Sequence, residues 1–423
     1  MRKVYSVLIS GILFFSCDHS RNSNYAGLDV DYCPPVDSSI DAVAEIPINR
    51  INVFLETSGS MAGYMPRSSP ATEFQKVLPD VISLLNTKNN LVKFYSIYNS
   101  KTKFSELEIG NARNKILNGD FNWSGSTYLP VMLDSINHYL KEDVVNIFVS
   151  DAIYSPETGD IKEAELATTD IRDKISRYAN TYSTFAVCLY SEYRRKTRPV
   201  KDSPYYLIIQ GQAKKVETIV QIISQSISRN NQPYEDVNFG WNYETPFYSI
   251  LPYTETNSNF TAEPCSSQKD AFVKLSDITL DKDSVNFWMG IDLKRYPTFV
   301  TNPSYLQSNL SLSVEDGAGK IVSIRERKPI GLDLDDQDLA ARCTHFLKIN
   351  LLELNTPVSQ LSLSLKYARP DWVSYLNESE LAKENERQKT FGLERILSAY
   401  EQAYMPEDRG FYFEDLKLSL IKD

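Results

Sequence analysis

Hydrophobic positions recur with two different periods along this chain of 423 residues. Between residues 45 and 230, short apolar runs alternate with segments whose apolar residues recur every three or four positions. The first pattern is typical of buried strands and the second of amphipathic helices. Strands that alternate with helices predict an α/β domain with a doubly wound, mostly parallel sheet covered on both faces.

The predicted strands of this domain are 50–56, 91–98, 144–149, 183–190 and 205–209, and the predicted helices begin near 72, 129, 163 and 213. At the start of the first helix, Thr72 and Gln75 have the spacing of a capping box, in which each side chain bonds the other residue's backbone N–H. Pro79 lies within the apolar stripe that follows. We expect it to kink this helix or to move its start.

Beyond residue 270 the apolar period becomes two. This alternation predicts several strands of an antiparallel β-sandwich over residues 271–423. One helix is predicted to interrupt the sandwich, because Leu393, Ile396, Leu397 and Tyr400 share a helical face. Residues 231–270 lack periodicity and are predicted to be a connector. The charged run 383–389 has mixed sign, which is typical of a solvated helix surface.

Residues 1–17 have a short basic start, an apolar run too brief to span a bilayer, and then Ser16-Cys17. This arrangement resembles the signal peptide and lipobox of bacterial lipoproteins. The resemblance implies lipidation of Cys17 and a chain anchored to a bacterial membrane, expected to be the outer membrane, outside the cytoplasm. A signal peptide with a coincidental Cys is the alternative. Residues 18–44 are predicted to be a tether.

Charge and cysteine usage narrow the classes of partner. The formal net charge is -10 and no long Lys/Arg run is present, which argues against nucleic acid. Cys188 lies inside an apolar run and is predicted to be a core thiol. Cys33 and Cys265 lie in loop-like sequence, so a disulfide between them is compatible with an oxidising compartment, although sequence alone does not establish it.

Oxygen-bearing side chains follow two of the buried strands. Glu56, Ser58 and Ser60 end the strand 50–56, and Asp151 follows the strand 144–149. Thr127 lies in a Ser/Gly-rich loop before a predicted helix. Hard oxygen ligands at the carboxyl ends of strands in an α/β sheet indicate a metal or ligand site.

The run from Glu56 to Met61 resembles the opening of a von Willebrand factor A (vWA) domain, whose metal-ion-dependent adhesion site begins Asp-x-Ser-x-Ser. The resemblance covers residues 45–230. It implies that Ser58, Ser60 and Thr127 bind a magnesium ion, that Asp151 reaches the ion through water, and that Glu56 stands where the family has Asp. The longer Glu56 side chain could bind the ion directly or bend away from it.

What the resemblance implies is protein binding at the cell envelope. Mg²⁺ holds near-octahedral oxygen ligands and keeps exchangeable waters, so one position remains for an acidic group of a protein partner. The fold without a working ion site is the first alternative, in which the sandwich does the binding. The second is a metal-dependent envelope hydrolase using Glu56 and Asp151. We do not expect an enzyme, because the three histidines, His19, His138 and His345, are far from these clusters in the predicted elements.

Overall fold

The structure is a computed structural model. It describes residues 32–35, 48–87, 91–98, 103–123, 128–153, 161–194, 199–240, 243, 245–255, 259–280, 284–380, 387–405 and 410–423. The chain forms an α/β unit with a large mixed sheet and a second unit of mainly antiparallel strands.

Seven strands form the first sheet. They are β1 (Arg50–Glu56), β2 (Leu91–Tyr98), β3 (Lys103–Leu107), β4 (Val144–Ser150), β5 (Ser183–Tyr193), β6 (Val200–Gly211) and β7 (Tyr234–Phe239). Their order is β3-β2-β1-β4-β6-β5-β7. The first four follow the order of a doubly wound sheet, in which the strand order reverses between β1 and β4.

The sheet is mixed, so the prediction of a mostly parallel sheet was wrong. Only the pairs β1–β2 and β1–β4 are parallel among those described. The pairs β2–β3, β4–β6, β5–β6 and β5–β7 are antiparallel. The physical reason is the connection between β5 and β6, which spans residues 194–199. A parallel pair needs a crossover of about a dozen residues, whereas this loop suits a hairpin.

Helices cover both faces of the first sheet. Those of the α/β unit are α1 (Glu73–Thr87), α2 (Ile109–Asn118), α3 (Leu129–Asn137), α4 (Ile161–Ala179) and α5 (Ala213–Arg229). One buried cluster joins the sheet to α1, α2 and α5, and a second joins its other face to α3 and α4. The strands β1 and β4 are buried on both sides, as their continuous apolar runs predict.

Helix α1 begins where its capping residues predict. The Gln75 backbone N–H donates to Thr72 Oγ1 at 3.3 Å, and the Thr72 N–H donates to Gln75 Oε1 at 3.1 Å. The capping box is therefore confirmed. Pro79 lies inside the helix without moving its start, so that part of the prediction was wrong.

The remaining strands form two larger sheets and one small pair. They are β8 (Tyr248–Leu251), β9 (Thr261–Pro264), β10 (Phe272–Ile278), β11 (Val285–Ile291), β12 (Leu310–Val314), β13 (Gly317–Arg325), β14 (His345–Leu354), β15 (Val358–Lys366), β16 (Asn377–Glu378), β17 (Thr390–Phe391) and β18 (Phe411–Lys422). One sheet has the order β12-β15-β18-β10-β9 and the other β13-β14-β11-β8. Their facing side chains share one core, and β10–β18 is a parallel pair within it.

The described parts of the predicted connector 231–270 include three strands, β7, β8 and β9. β7 pairs with β5 at the edge of the first sheet, and β8 pairs with β11 in the second unit. Single short strands of this kind carry too few residues to show a period. Cys33 and Cys265 form a disulfide bond, which ties residues 32–35 to the second unit. Cys188 is fully buried in β5, as predicted, and burial raises the pKa of its thiol.

The predicted interrupting helix belongs to the α/β unit. The short helices of the second half are α6 (Pro303–Asn309), α7 (Gln337–Ala341), α8 (Asp371–Leu376) and α9 (Leu393–Tyr404). Ile396, Leu397 and Tyr400 of α9 join the buried cluster of α3, α4 and the first sheet. Assigning this helix to the sandwich was therefore wrong. The period located the helix but carried no information about which sheet it covers.

Candidate binding site

The candidate site lies at the carboxyl ends of β1 and β4, where the strand order of the first sheet reverses. Leu55 pairs in register with Val149, so Glu56 lies beside Ser150. The Ser150 hydroxyl donates a hydrogen bond to the Glu56 carboxylate and accepts one from the Ala152 N–H at 2.8 Å. Open α/β sheets bind ligands at such a switch point, because the connections diverge there and leave a crevice.

The loop after β1 brings two hydroxyls together. Ser58 Oγ and Ser60 Oγ lie 2.8 Å apart. Thr57 Oγ1 donates to the Ile97 carbonyl at 2.6 Å, which fixes the loop against the end of β2. Gly59 and Ser60 are half-buried, whereas Ser58 is buried. A hydrogen bond from Ser60 favours the charged form of Asp151, so the hydroxyl pair and this carboxylate belong to one cluster.

Asp151 forms a buried ion pair with Arg387. Arg387 Nη1 lies 3.4 Å from Asp151 Oδ2, and the two side chains are 6% and 2% exposed. The guanidinium carbon of Arg387 also lies 5.0 Å from the centroid of the Tyr193 ring. Arg387 has a φ of 58°, the left-handed region that residues with a Cβ rarely adopt. Its backbone is thus held in an uncommon conformation that presents the side chain to Asp151.

Burial and charge act in opposite directions on Asp151. Desolvation is the larger effect and raises the pKa of its carboxyl above the usual value. The Arg387 charge, the Ser60 hydrogen bond and the Ile153 N–H oppose the rise. Burial also raises the pKa of Tyr64, with a smaller contribution from the charge of Asp151. Arg387 is therefore the main opposing charge on the carboxylate.

The hydroxyl spacing alone suits a magnesium ion. Adjacent oxygens around an ion with bonds of about 2.1 Å lie about 3 Å apart, close to the separation of the two serine hydroxyls. The ion pair between Asp151 and Arg387 opposes the binding of magnesium. A divalent ion about 5 Å from the guanidinium would meet a repulsion of roughly 7 kcal/mol at an effective dielectric of about 20, which cancels most of its attraction to the one carboxylate of Asp151. With Arg387 in place, the described residues do not fit an ion beside Asp151.

The predicted site residues divide into those that meet and those that lie outside the described residues. Glu56, Ser58, Ser60 and Asp151 lie at one edge of the sheet, with Glu56 turned to Ser150. Thr127 and Cys17 lie outside the described residues. Within the described part of the chain, no group of three or more His, Cys, Asp and Glu side chains is arranged to hold a metal.

Sequence analysis missed Arg387. It lies in the run 383–389, which we expected to be a solvated surface, yet its side chain is buried. That expectation was wrong for this residue. The sequence around Arg387 does not reveal that the residue is buried, because a single Arg among charged neighbours forms no periodic pattern. Its partner Asp151 is 236 residues away in the sequence.

Two further observations concern the chain as a whole. None of the helices in the described ranges has the length and apolarity needed to cross a bilayer. Comparison of the chain with protein-family models, with curated proteins and with solved structures gave no match.

Proposed function

We propose that this chain is a cell-envelope protein that binds a protein partner through the carboxyl edge of β1 and β4, as the vWA resemblance implies. In this proposal Arg387 supplies the positive charge beside Asp151 where the resemblance implies a metal ion. The observation that carries the proposal is the convergence of Ser58, Ser60 and Asp151 at the switch point of the sheet.

The chemistry of this edge supports recognition of an acidic group. The hydroxyls of Ser58 and Ser60 are hydrogen-bonded to each other, and that of Ser60 also to Asp151; by rotating away from these acceptors they can donate hydrogen bonds to a partner's carboxylate. Hydrogen bonds to a charged acceptor are roughly twice as strong as neutral ones. Gly59 and Ser60 are partly exposed, so a partner can reach them without unfolding the loop. Arg387 compensates the Asp151 charge, which would otherwise repel an acidic partner at this edge.

A magnesium-dependent version of the function requires Arg387 to leave Asp151. Calorimetry separates the two versions. The proposal predicts no heat from millimolar Mg²⁺ with the natural chain. It predicts at most weak binding with Arg387→Met, which removes the competing charge. Strong binding of Mg²⁺ by the natural chain would contradict the assigned role of Arg387 and favour the ion-dependent version.

The lipid anchor at Cys17 is part of the proposal and is supported by the sequence pattern of residues 1–17. Growth with a labelled fatty acid tests it directly. The natural chain should carry label and Cys17→Ser should not, whereas Cys343→Ser should retain it. Equal labelling of the Cys17→Ser chain would contradict anchoring at this residue.

The binding edge is tested by capture from detergent-solubilised membranes of the native host. The double variant Ser58→Ala/Ser60→Ala removes both hydroxyls and should lower partner recovery at least tenfold. The matched control is Ser304→Ala/Ser308→Ala, which removes two exposed hydroxyls from α6 in the second unit. Equal recovery with both double variants would move the contact away from this edge and towards the sandwich.

A further inference from the structure

A cavity of about 470 Å³ lies where the α/β unit meets the second unit. Its walls come from α5 and β7 on one side and from residues 243, 245–247, 292 and 294–298 on the other. Cavities of roughly 300 to 1,000 Å³ are the usual size for small-molecule sites. The carboxyl edge of β1 and β4 contributes no residue to this lining, so the cavity is separate from the candidate site described above.

Asp236 places a buried carboxylate in the cavity wall. Residues 234, 236 and 238 alternate onto one face of β7, and all three line the cavity. The Asp236 side chain belongs to a residue that is only 4% exposed. Its Oδ2 accepts a hydrogen bond from Thr298 Oγ1 at 3.0 Å. Its Oδ1 is buried and has no hydrogen-bond partner among the described residues.

Most of the other charged side chains described around the cavity are exposed. Lys214 and Glu217 on α5 are exposed, as are Lys294 and Arg295. Asp292 is ion-paired with Lys294 at 3.0 Å. The Asp292 side chain is also only 9% exposed, but it has that ion pair. Asp236 has no ion pair among the described side chains and one unpaired oxygen, and a buried carboxylate without a full set of partners is costly.

The remaining wall is apolar and aromatic. Val220, Ile223 and Ile227 line it from α5. Tyr243 and Tyr296 stack with ring centroids 4.9 Å apart and planes 16° from parallel. Apolar and aromatic walls favour a carbon body, and aromatic faces also attract a nearby cation.

We propose that this cavity binds a small organic amine, whose ammonium group pairs with Asp236 and whose apolar body packs between α5 and the tyrosine pair. The inference is independent of the proposed function. Burial raises the pKa of Asp236 to about 6, opposed by hydrogen bonds from Thr298. The carboxylate form still predominates near neutral pH. An ammonium group can therefore donate a hydrogen bond to Oδ1 in place of the water that this oxygen lost on burial.

Calorimetry of the complete chain with phenethylamine tests the proposal at pH 7.5. We expect measurable binding below millimolar concentration, with at least tenfold weaker binding of 2-phenylethanol, which has the same body without the charge. Asp236→Asn should weaken phenethylamine binding at least tenfold and leave the alcohol unchanged. Equal affinity for amine and alcohol, or no heat at 10 mM amine, would overturn the proposal.

Two variants separate recognition from a change in folding. Asp292→Asn removes a carboxylate of the same lining that is already paired with Lys294, and it should change amine affinity less than twofold. Ser224→Trp places a bulky ring on the α5 wall and should block both ligands.

Nα-acetyl-lysinamide tests whether the amine that binds is a small molecule or a lysine side chain of a protein. If it binds and phenethylamine does not, the cavity recognises a lysine side chain of a protein, and the small-amine assignment is wrong.

Discussion

Asp151 and Arg387 are 236 residues apart in the sequence, and both side chains are buried together at the end of β4. Breaking a buried ion pair from one side is strongly destabilising, because the remaining charge has neither water nor a partner. Replacing both charges costs much less. This asymmetry makes the pair suitable for a double-mutant cycle.

We predict that Arg387→Met lowers the free energy of unfolding by about 3–5 kcal/mol at neutral pH. Asp151→Asn should cost less, because the raised pKa of this carboxyl means that the fold already favours its neutral form, and the double variant should cost less than the sum of the two. Denaturant unfolding at pH 7.5 measures all three. Strictly additive effects would show that the two side chains do not interact in solution.

The loss in Arg387→Met should shrink as the pH falls. Burial raises the folded-state pKa of Asp151, and removing Arg387 removes a charge that opposes the rise. A group with a raised folded-state pKa stabilises the fold below its unfolded pKa, and that contribution is lost as the pH rises through the folded pKa. Protonation at low pH therefore relieves the uncompensated charge.

Asp236 gives a second pH-dependent prediction at this scale. Its pKa is about 6 in the fold against 3.8 ordinarily, a difference of about 3 kcal/mol once the carboxylate is fully ionised. Asp236→Asn should be more stable than the natural chain by up to about 3 kcal/mol at pH 8 without ligand. The difference should decline as the pH falls through 6 and vanish near pH 4. Denaturant unfolding over this range measures it, and a constant difference would contradict the burial effect.

Some residues of the candidate site could be predicted from the sequence next to them and others could not. Ser58, Ser60 and Asp151 could be found because each follows a continuous apolar strand, and parallel neighbours bring such ends together. Arg387 could not, because its position depends on how the chain after β16 returns to the first sheet. The hydrogen bond between Glu56 and Ser150 depends on the conformation of the Glu56 side chain, which the sequence pattern does not predict.

Among the elements, helix α9 shows what a period can and cannot predict. The apolar stripe of Leu393, Ile396, Leu397 and Tyr400 marked an amphipathic helix correctly. The stripe has the same period whichever sheet it covers. α9 packs beside α4, so the second half of the chain completes the core of the first.

We predict that Ile396→Ala lowers the free energy of unfolding by about 2–4 kcal/mol, because it leaves a cavity in the shared core. Amide exchange should rise in α4 as well as in α9. The control Gln402→Ala changes an exposed position of the same helix and should cost less than about 0.5 kcal/mol. Faster exchange confined to the sandwich strands would contradict this packing.

The relative direction of neighbouring strands is a second property of the elements that the apolar period did not predict. β5 and β6 were identified as strands from their apolar residues, and in the structure they pair antiparallel with few residues between Tyr193 and Val200. The predicted bounds, 183–190 and 205–209, left a connection long enough for a parallel crossover, so the antiparallel pair could be recognised only once the structure showed both strands to be longer. The short strands β8 and β9 have four residues each, too few for a period to stand out.

At the scale of the whole molecule, each of the two units includes or binds a segment from the other half of the chain. The disulfide between Cys33 and Cys265 fixes residues before β1 to the second unit. The segment from α8 to α9 runs back onto the first sheet and carries Arg387 to the candidate site. The division by apolar period into residues 45–230 and 271–423 therefore does not coincide with the segments that form the sheets, which include β7, β8 and β9.

This sharing gives the proposed function a structural consequence. The binding edge is completed by a residue from the far end of the chain, so a fragment ending near residue 230 lacks the charge that compensates Asp151. The cavity at Asp236 likewise takes walls from both units. Experiments on either site therefore use the complete chain.

The most direct test of the account is capture of the partner from solubilised membranes with and without a chelator. Because Arg387 pairs with Asp151 in the structure, the proposal predicts equal partner recovery in 5 mM EDTA and in 5 mM Mg²⁺. Recovery should fall at least tenfold with Ser58→Ala/Ser60→Ala in either buffer. A partner lost in EDTA and restored by Mg²⁺ would contradict the role of Arg387 and show that an ion completes the edge.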